Sequence, residues 1–398
     1  GRVMYRFTDD EINFICKYAT DRAEAMSRER KGGKIMIQDM HNIVEGALEQ
    51  VNPAVAKSYR DYRNYKVDFI HMMDEVYTKS QSIRYIGDKS NANTDSALVA
   101  TKRSLIFNEL NKELYRKFFM NRNELQACKD GYIYIHDQSA RLDTMNCCLF
   151  DVGSVLRGGF EMGNVWYNEP KTLDTAFDVM GDIILSTAAQ QYGGFTVPEV
   201  DKILSPYAQK SYNKYYEEFL KYSDPSWEGR EEKGRVYAWE KVCRDCDQGW
   251  QGIEYKLNTV GSSRGDYPFV TVTLGLGTGR FEKMISKSLL KVHMGGQGKA
   301  GHKKPVLFPK IVFLYDEEIH GDGKECEDVF ETGVACSAKT MYPDWLSMSG
   351  QGYISSMYKK YKKVISPMGC RAFLSPWYER GGMEPADEND VPVFVGRF

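Results

Sequence analysis

Nowhere in its 398 residues does the sequence hold the about eighteen consecutive apolar residues that a membrane-crossing helix requires. The charged start, apolar stretch and small-residue cleavage pattern of a secretory signal are also missing, so no membrane partner is expected and the cytoplasm is the expected location. Charge of one sign is lacking too. The 53 Lys and Arg are interspersed with 55 Asp and Glu for a formal net charge of -2, which offers no field to attract nucleic acid. Nine cysteines, an odd number scattered over a long chain, make no disulfide framework and fit a reducing compartment. "LGLGTGR" (274–280) lacks both GxGxxG spacing and a Lys-Ser/Thr ending, and reads as a strand-to-helix turn. "CRDC", with Cys243 and Cys246, has no second CxxC or nearby His. Structural thiols on a helix face are expected there, and no metal site. Cys16, Cys128, Cys326 and Cys336 sit singly in amphipathic surroundings and are expected to be buried small hydrophobes.

What is present is an apolar fraction of 42%, enough for a large core, in a pattern that changes along the chain. Residues 1–85 read as a small helical module behind a short strand pair. "TDDE" from Thr8 has capping-box spacing, followed by Ile12, Ile15, Tyr18 and Ala19 on one face. Met36, Met40, Ile43, Val44, Ala47 and Leu48 mark a second helix, and Asn52-Pro53 caps and opens a third. "GDKSNANTDS" (87–96) is polar and turn-rich, a linker. Beyond it, Ile106, Leu110, Leu114 and Phe118 mark a long helix, and a further helix is expected over 172–188. "GYIYIHD", "PFVTVTLG", "PKIVFLYD" and "VPVFV" read as strands. Strands separated by helices argue for an α/β architecture, with chemistry at strand ends and in the loops beyond them.

Three places could carry that chemistry. Cys147 and Cys148 lie on a strand-like run just past His136-Asp137. Adjacent strand residues point to opposite faces, so at most one of the two faces a site. Cys370 follows Gly369, which allows a sharp turn that would deliver the thiol from a loop tip; a thiol pair and plain buried thiols both remain open. "NTVGSSRGDYP" (258–268) combines Gly, two hydroxyls and an Arg, able to hold a phosphate or to make an ordinary turn. His41 sits on the polar side of the second helix, where a solvated imidazole is the plain reading.

Taken together, "YIHDQSARLDTMNCCLFD", "NTVGSSRGDYPF" and "VISPMGCRAFLSPWYERGG" resemble the anaerobic, class III ribonucleoside-triphosphate reductases of the glycyl radical enzyme family. The resemblance runs from about residue 85 to the end, and residues 1–85 resemble the ATP-cone that precedes such reductases, with its first strand incomplete. It implies a ten-stranded α/β barrel of two half-barrels over residues 86–398, incomplete at its C-terminal part, with a finger loop through its centre. In that likeness Cys370 becomes a thiyl radical that abstracts the ribose 3′-hydrogen, and Cys147 is the second thiol, with Cys148 the alternative. Asn146, Met368, His136, Ser262, Ser263 and Arg264 are implied to line the substrate pocket. Gly1, Arg2, His41, Lys57 and Arg63 are implied to contact an effector nucleotide, and a specificity site is implied on helices between residues 165 and 215.

The implied reaction reduces ribonucleoside triphosphates to deoxyribonucleoside triphosphates with formate as reductant, under control of ATP and dATP with Mg. The implied partners are a radical S-adenosylmethionine iron–sulfur activase and further copies of the chain, as a homodimer or higher oligomer. The glycyl radical motif and four-cysteine zinc site that the resemblance calls for are not in these residues. The chain is therefore expected to be inactive alone and to be part of a longer or split protein, as its strand-like ends "GRVMYRF" and "PVFVGRF" also suggest. Two alternatives stand beside this reading: a catalytically inactive nucleotide-binding fragment acting as a regulatory partner, and another glycyl radical enzyme.

Overall fold

The computed structural model describes residues 5–86, 98–141, 147–262, 265–361, 364–369, 371, 373, 376–382, 386–390 and 392–397. Contacts divide the chain into two compact units, Gly1–Ser82 and Ile83–Phe398.

The first unit holds α1 (Asp9–Glu29), α2 (Ile37–Val51) and most of α3 (Pro53–Ile86). Thr8 caps α1 in a capping box: its hydroxyl accepts from the Glu11 N–H at 3.3 Å, and the Glu11 carboxylate accepts from the Thr8 N–H at 2.8 Å. Ile43, Ala47 and Leu48 give α2 its buried face, and Asn52 separates it from the Pro53 that opens α3. The expected strand pair has no counterpart among described residues 5–8, which lead into α1 without strand pairing; residues 1–4 and the linker at 87–96 lie outside the described residues. Because α1 buries no residue, Cys16 is exposed, contrary to expectation; Cys128 is only half-buried, whereas Cys326 and Cys336 are buried.

The second unit begins with α4 (Val99–Phe118) and α5 (Arg122–Lys129). There follow β1 (Cys147–Leu149), α6 (Val152–Leu156), the small hairpin β2 (Phe160–Met162) and β3 (Val165–Tyr167), α7 (Leu173–Gln190) and β4 (Phe195–Val197). Next come α8 (Val200–Tyr222), α9 (Arg230–Thr259), β5 (Val270–Leu274), α10 (Arg280–Gly295) and β6 (Lys310–Tyr315). The unit closes with α11 (Glu317–His320), α12 (Glu327–Thr340), β7 (Asp344–Ser347), α13 (Tyr353–Tyr361), β8 (Pro376–Tyr378) and β9 (Pro392–Arg397).

Among the described residues the main sheet has seven strands in the order β7-β6-β5-β4-β1-β9-β8. The run β1, β4, β5, β6, β7 is parallel, while β9 lies antiparallel to β1 and β8 antiparallel to β9. Alternation divides the residues between two faces. Phe195, Val197, Val270, Val272, Leu274, Ile311 and Phe313 join the helices in the main core, with Leu173, Phe177, Met180 and Ile184 from α7 and Trp250 from α9. "GYIYIHD" forms no strand: Tyr132 and Tyr134 are 83% and 84% exposed, so the alternation that looked like a strand has no buried face to serve. The glycine run is the expected turn, between β5 and α10. Buried Asp201 on α8 accepts from the N–H groups of Gly275 at 3.0 Å and Gly277 at 3.2 Å.

Candidate active site on the sheet face

The face of the sheet turned away from the main core is set by one row in register: Leu149, Thr196, Thr271 and Lys310 are successive partners across β1, β4, β5 and β6. Neighbours in register share a face, so Cys147, two residues before Leu149, belongs to it, and Cys148 belongs to the other. Packing agrees. Cys147 clusters with fully buried Met368 and with Leu149, whereas Cys148 lies in the main core.

The two thiols accordingly have different surroundings. The Cys148 thiol donates to Gln191 Oε1 at 2.9 Å, and burial pushes it up to about 11. The folded state thus holds the Cys148 proton more tightly than the unfolded chain. Its contribution to stability is full below the ordinary value of 9.0 and is lost as the pH rises through about 11. Urea unfolding of the wild type against Cys148→Ala is expected to show a stability difference that shrinks over this window, by on the order of 2 kcal/mol. A pH-independent difference would refute it.

Residues 364–369 and 371 lie along the Cys147 face, held by side chains from four strands. Ser366 Oγ is 3.3 Å from Thr273 Oγ1 at the C-terminal end of β5. The Thr196 hydroxyl donates to the Pro367 carbonyl at 2.9 Å and touches Met368 Sδ at 3.8 Å. Lys310 Nζ stands 4.4 Å over the Phe269 ring and 3.5 Å from the Gly369 carbonyl, at the N-terminal end of β6. Arg371, in the left-handed region at φ 61°, donates to the Met368 and Gly369 carbonyls at 3.3 Å each and pairs with Asp344 of β7. The segment therefore runs down the sheet from the C-terminal end of β5 to the N-terminal ends of β6 and β7.

Gly369 lies in the expected turn, with the Arg371 N–H donating to the Met368 carbonyl at 2.7 Å, but without a positive φ. A Cβ there would stand 2.6 Å from Phe269 Cδ1 and 3.1 Å from Cζ, so glycine is required by close approach. Thr196→Val keeps the shape of its fully buried side chain and strands the Pro367 carbonyl. Urea denaturation is expected to read a loss of about 1–3 kcal/mol, and no loss would show that this anchor is idle.

The other residues singled out in the sequence divide as follows. Cys370, Asn146, Ser263, Arg264, Gly1 and Arg2 lie outside the described residues. Met368 joins Cys147, as above. His136 is 57% exposed, with Nδ1 2.5 Å from Asp137 Oδ2. The N–H of Ser262 donates to the Asp266 carbonyl at 2.8 Å and its hydroxyl to the Asp266 carboxylate, closing a turn beside a cavity lined by Tyr192, Tyr267 and Phe269. In the first unit, His41 Nδ1 is 2.7 Å from the Tyr59 hydroxyl. Arg63 pairs with Glu45 at 3.2 Å and donates to Asn42 at 3.0 Å, while exposed Lys57 has no partner among the described residues. Thr196, Thr273, Lys310, Asp344 and Arg371 were not singled out as site residues. The alternating Thr positions of "PFVTVTLG" are the one local signal that pointed to this face.

A mostly parallel sheet with its main helical core on one face, and with α13 against Val312 and Leu314 and a thiol beside a polar-anchored segment on the other, defines an α/β protein. Residues 90–395 match the family model for anaerobic ribonucleoside-triphosphate reductase, and the chain belongs to that family. It is 32% identical over 363 residues to the anaerobic ribonucleoside-triphosphate reductase of Haemophilus influenzae, covering 88% of this chain and 49% of the relative. The Escherichia coli protein of that name is 30% identical over 385 residues (93% and 51%), and that of phage T4 is 36% identical over 301 (75% and 47%). The chain thus spans about half the length of the curated relatives it matches. A solved anaerobic ribonucleotide reductase from Thermotoga maritima, with glycerol in its active site, aligns at TM-score 0.46 and 14% identity, over 87% of this chain and 51% of that one. No described helix is long and apolar enough to cross a membrane.

Proposed function

We propose that this chain carries part of the catalytic machinery of an anaerobic ribonucleoside-triphosphate reductase that uses formate. The observation that supports it most is the sheet face: Cys147 beside Met368, with a segment laid over them by Thr196, Thr273, Lys310 and Asp344. In this reading the strands belong to a ten-stranded barrel whose interior is this face, and Cys370 is the thiyl radical residue. A thiyl takes the ribose 3′-hydrogen as a whole atom. The 2′-hydroxyl then leaves as water, formate supplies two electrons and becomes carbon dioxide, and the Cys370 thiol returns hydrogen to C3′. The balance is ribonucleotide plus formic acid to deoxyribonucleotide, carbon dioxide and water. A dry interior suits such a radical by excluding side reactions.

Cys147 is assigned as the second thiol, with Asn146, Met368, His136, Ser262, Ser263 and Arg264 as substrate contacts. The first unit is assigned as an ATP-cone in which Gly1, Arg2, His41, Lys57 and Arg63 take ATP or dATP with Mg, and a specificity site for deoxynucleotides is placed on helices between residues 165 and 215. A radical S-adenosylmethionine activase supplies the radical through a glycyl segment beyond these residues. The working form is a homodimer or larger oligomer in the cytoplasm.

The test is an anaerobic assay of the full-length protein with its activase, CTP and carbon-labelled formate. Equal amounts of dCTP and labelled carbon dioxide are expected. Undiminished dCTP without formate would refute formate as reductant, and absence of deoxynucleotide would refute the reductase reading.

A further inference from the structure

A charged cleft between α9 and α10, rimmed by α12, takes no part in the chemistry proposed above. It encloses about 560 Å³, within the about 300–1,000 Å³ typical of small-molecule sites. Arg280, Lys283, Lys287 and Lys291 of α10 line it, three or four residues apart and so on one helix face. At 1.5 Å per residue the row is about 16 Å long.

Like charges at this spacing destabilise a helix unless something offsets them. Two of the four are offset: Lys283 Nζ donates to the Glu325 carbonyl at 2.8 Å, and Lys287 pairs with Asp328 at 2.7 Å. Arg280 and Lys291 are exposed, and neither has a carboxylate partner among the described residues. Arg280 is held instead by aromatic faces, its Cζ 4.2 Å from the Trp239 ring centre, 4.9 Å from that of Tyr212 and 5.1 Å from that of Phe281. Stacking fixes the plane of a guanidinium and leaves its in-plane N–H donors available. Both carboxylates in the lining are engaged, Asp328 with Lys287 and Asp247 with the Ser288 hydroxyl. Four cations against two anions leave the cleft at +2, and a concave wall focuses that field.

We propose that this cleft binds a linear polyphosphate chain, free or as the triphosphate of a nucleotide, through Arg280 and Lys291. The length of the cation row fits a chain of phosphates better than a single one. The concavity fits a small ligand better than a protein surface. The proposal is independent of the reductase reading.

Cys243 provides a local probe, because it lines the cleft half-buried. Burial and then Asp247 push its thiol up, while Arg280 and Lys291 pull it down. A bound polyanion would cover the thiol and cancel that pull. Alkylation of Cys243 in the whole protein, followed by peptide mass spectrometry, is expected to slow about fivefold or more on adding millimolar inorganic tripolyphosphate. Sodium chloride at matched ionic strength should not reproduce the effect, and Lys291→Ala or Arg280→Ala should abolish it. Lys291 is exposed, so its variant should keep the wild-type melting temperature and leave the result interpretable if Arg280→Ala does not fold. Protection by both tripolyphosphate and ATP supports a phosphate-chain site, and protection by ATP alone supports it with a nucleotide as the source. No protection, equal slowing by salt, unchanged protection in Lys291→Ala, or protection by polyglutamate alone would overturn the proposal.

Discussion

Cys370→Ala in the activated full-length protein is expected to lower deoxynucleotide formation by about a thousandfold or more, while ATP and dATP bind as in the wild type. The expectation rests on the role of the side chain. In the proposed function the Cys370 sulfur takes a hydrogen atom from the ribose, which a methyl group cannot do. Cys370 lies outside the described residues, but both of its neighbours are anchored: the Gly369 carbonyl beside Lys310, and Arg371 on Asp344. Retained reduction would remove Cys370 from the chemistry. Loss of nucleotide binding along with reduction would point to a structural defect instead.

Gly369→Ala is expected to cost about 2–3 kcal/mol of stability by overpacking against Phe269. The ring that a new methyl would strike is held from other sides, since it meets Phe308 at 5.3 Å between centroids and Lys310 at 4.4 Å. The segment would have to lift from the sheet, breaking the contacts of Thr196 and Lys310 with its carbonyls. Because the conflict is with one ring, adding Phe269→Ala should restore at least about 1 kcal/mol relative to the sum of the single changes. Strict additivity in urea denaturation would show that Gly369 is needed for some other reason.

Much of this architecture was legible locally. Thr8 with Glu11, and Asn52 before Pro53, marked helix ends through backbone groups within a few residues, and the structure has those ends. Leu173, Ala176, Phe177, Met180, Ile183 and Ile184 recur at helical spacing in the sequence, and all six are buried in α7. Adjacent Cys147 and Cys148 could be separated onto two faces by strand alternation, though which face held a site needed the sheet. The anchoring of residues 366–371 was not legible, because Thr196 reaches Pro367 and Thr273 reaches Ser366 across more than ninety intervening positions. Such pairs leave no periodic trace. "GYIYIHD" failed for the opposite reason: its local pattern was strand-like, but Tyr132 and Tyr134 are exposed and no strand among the described residues pairs with it.

In the proposed function, reduction occurs on the sheet face bearing Cys147 and not on the core face bearing Cys148. Dideuterated or tritiated substrates would report on the radical step, but a serine scan of the two neighbours addresses the claim itself. Single-turnover dCTP formation should be measured in the activated full-length protein carrying Cys147→Ser or Cys148→Ser. Loss of product in Cys147→Ser with product retained in Cys148→Ser is the predicted result; the reverse pattern, or full product from both, would contradict it.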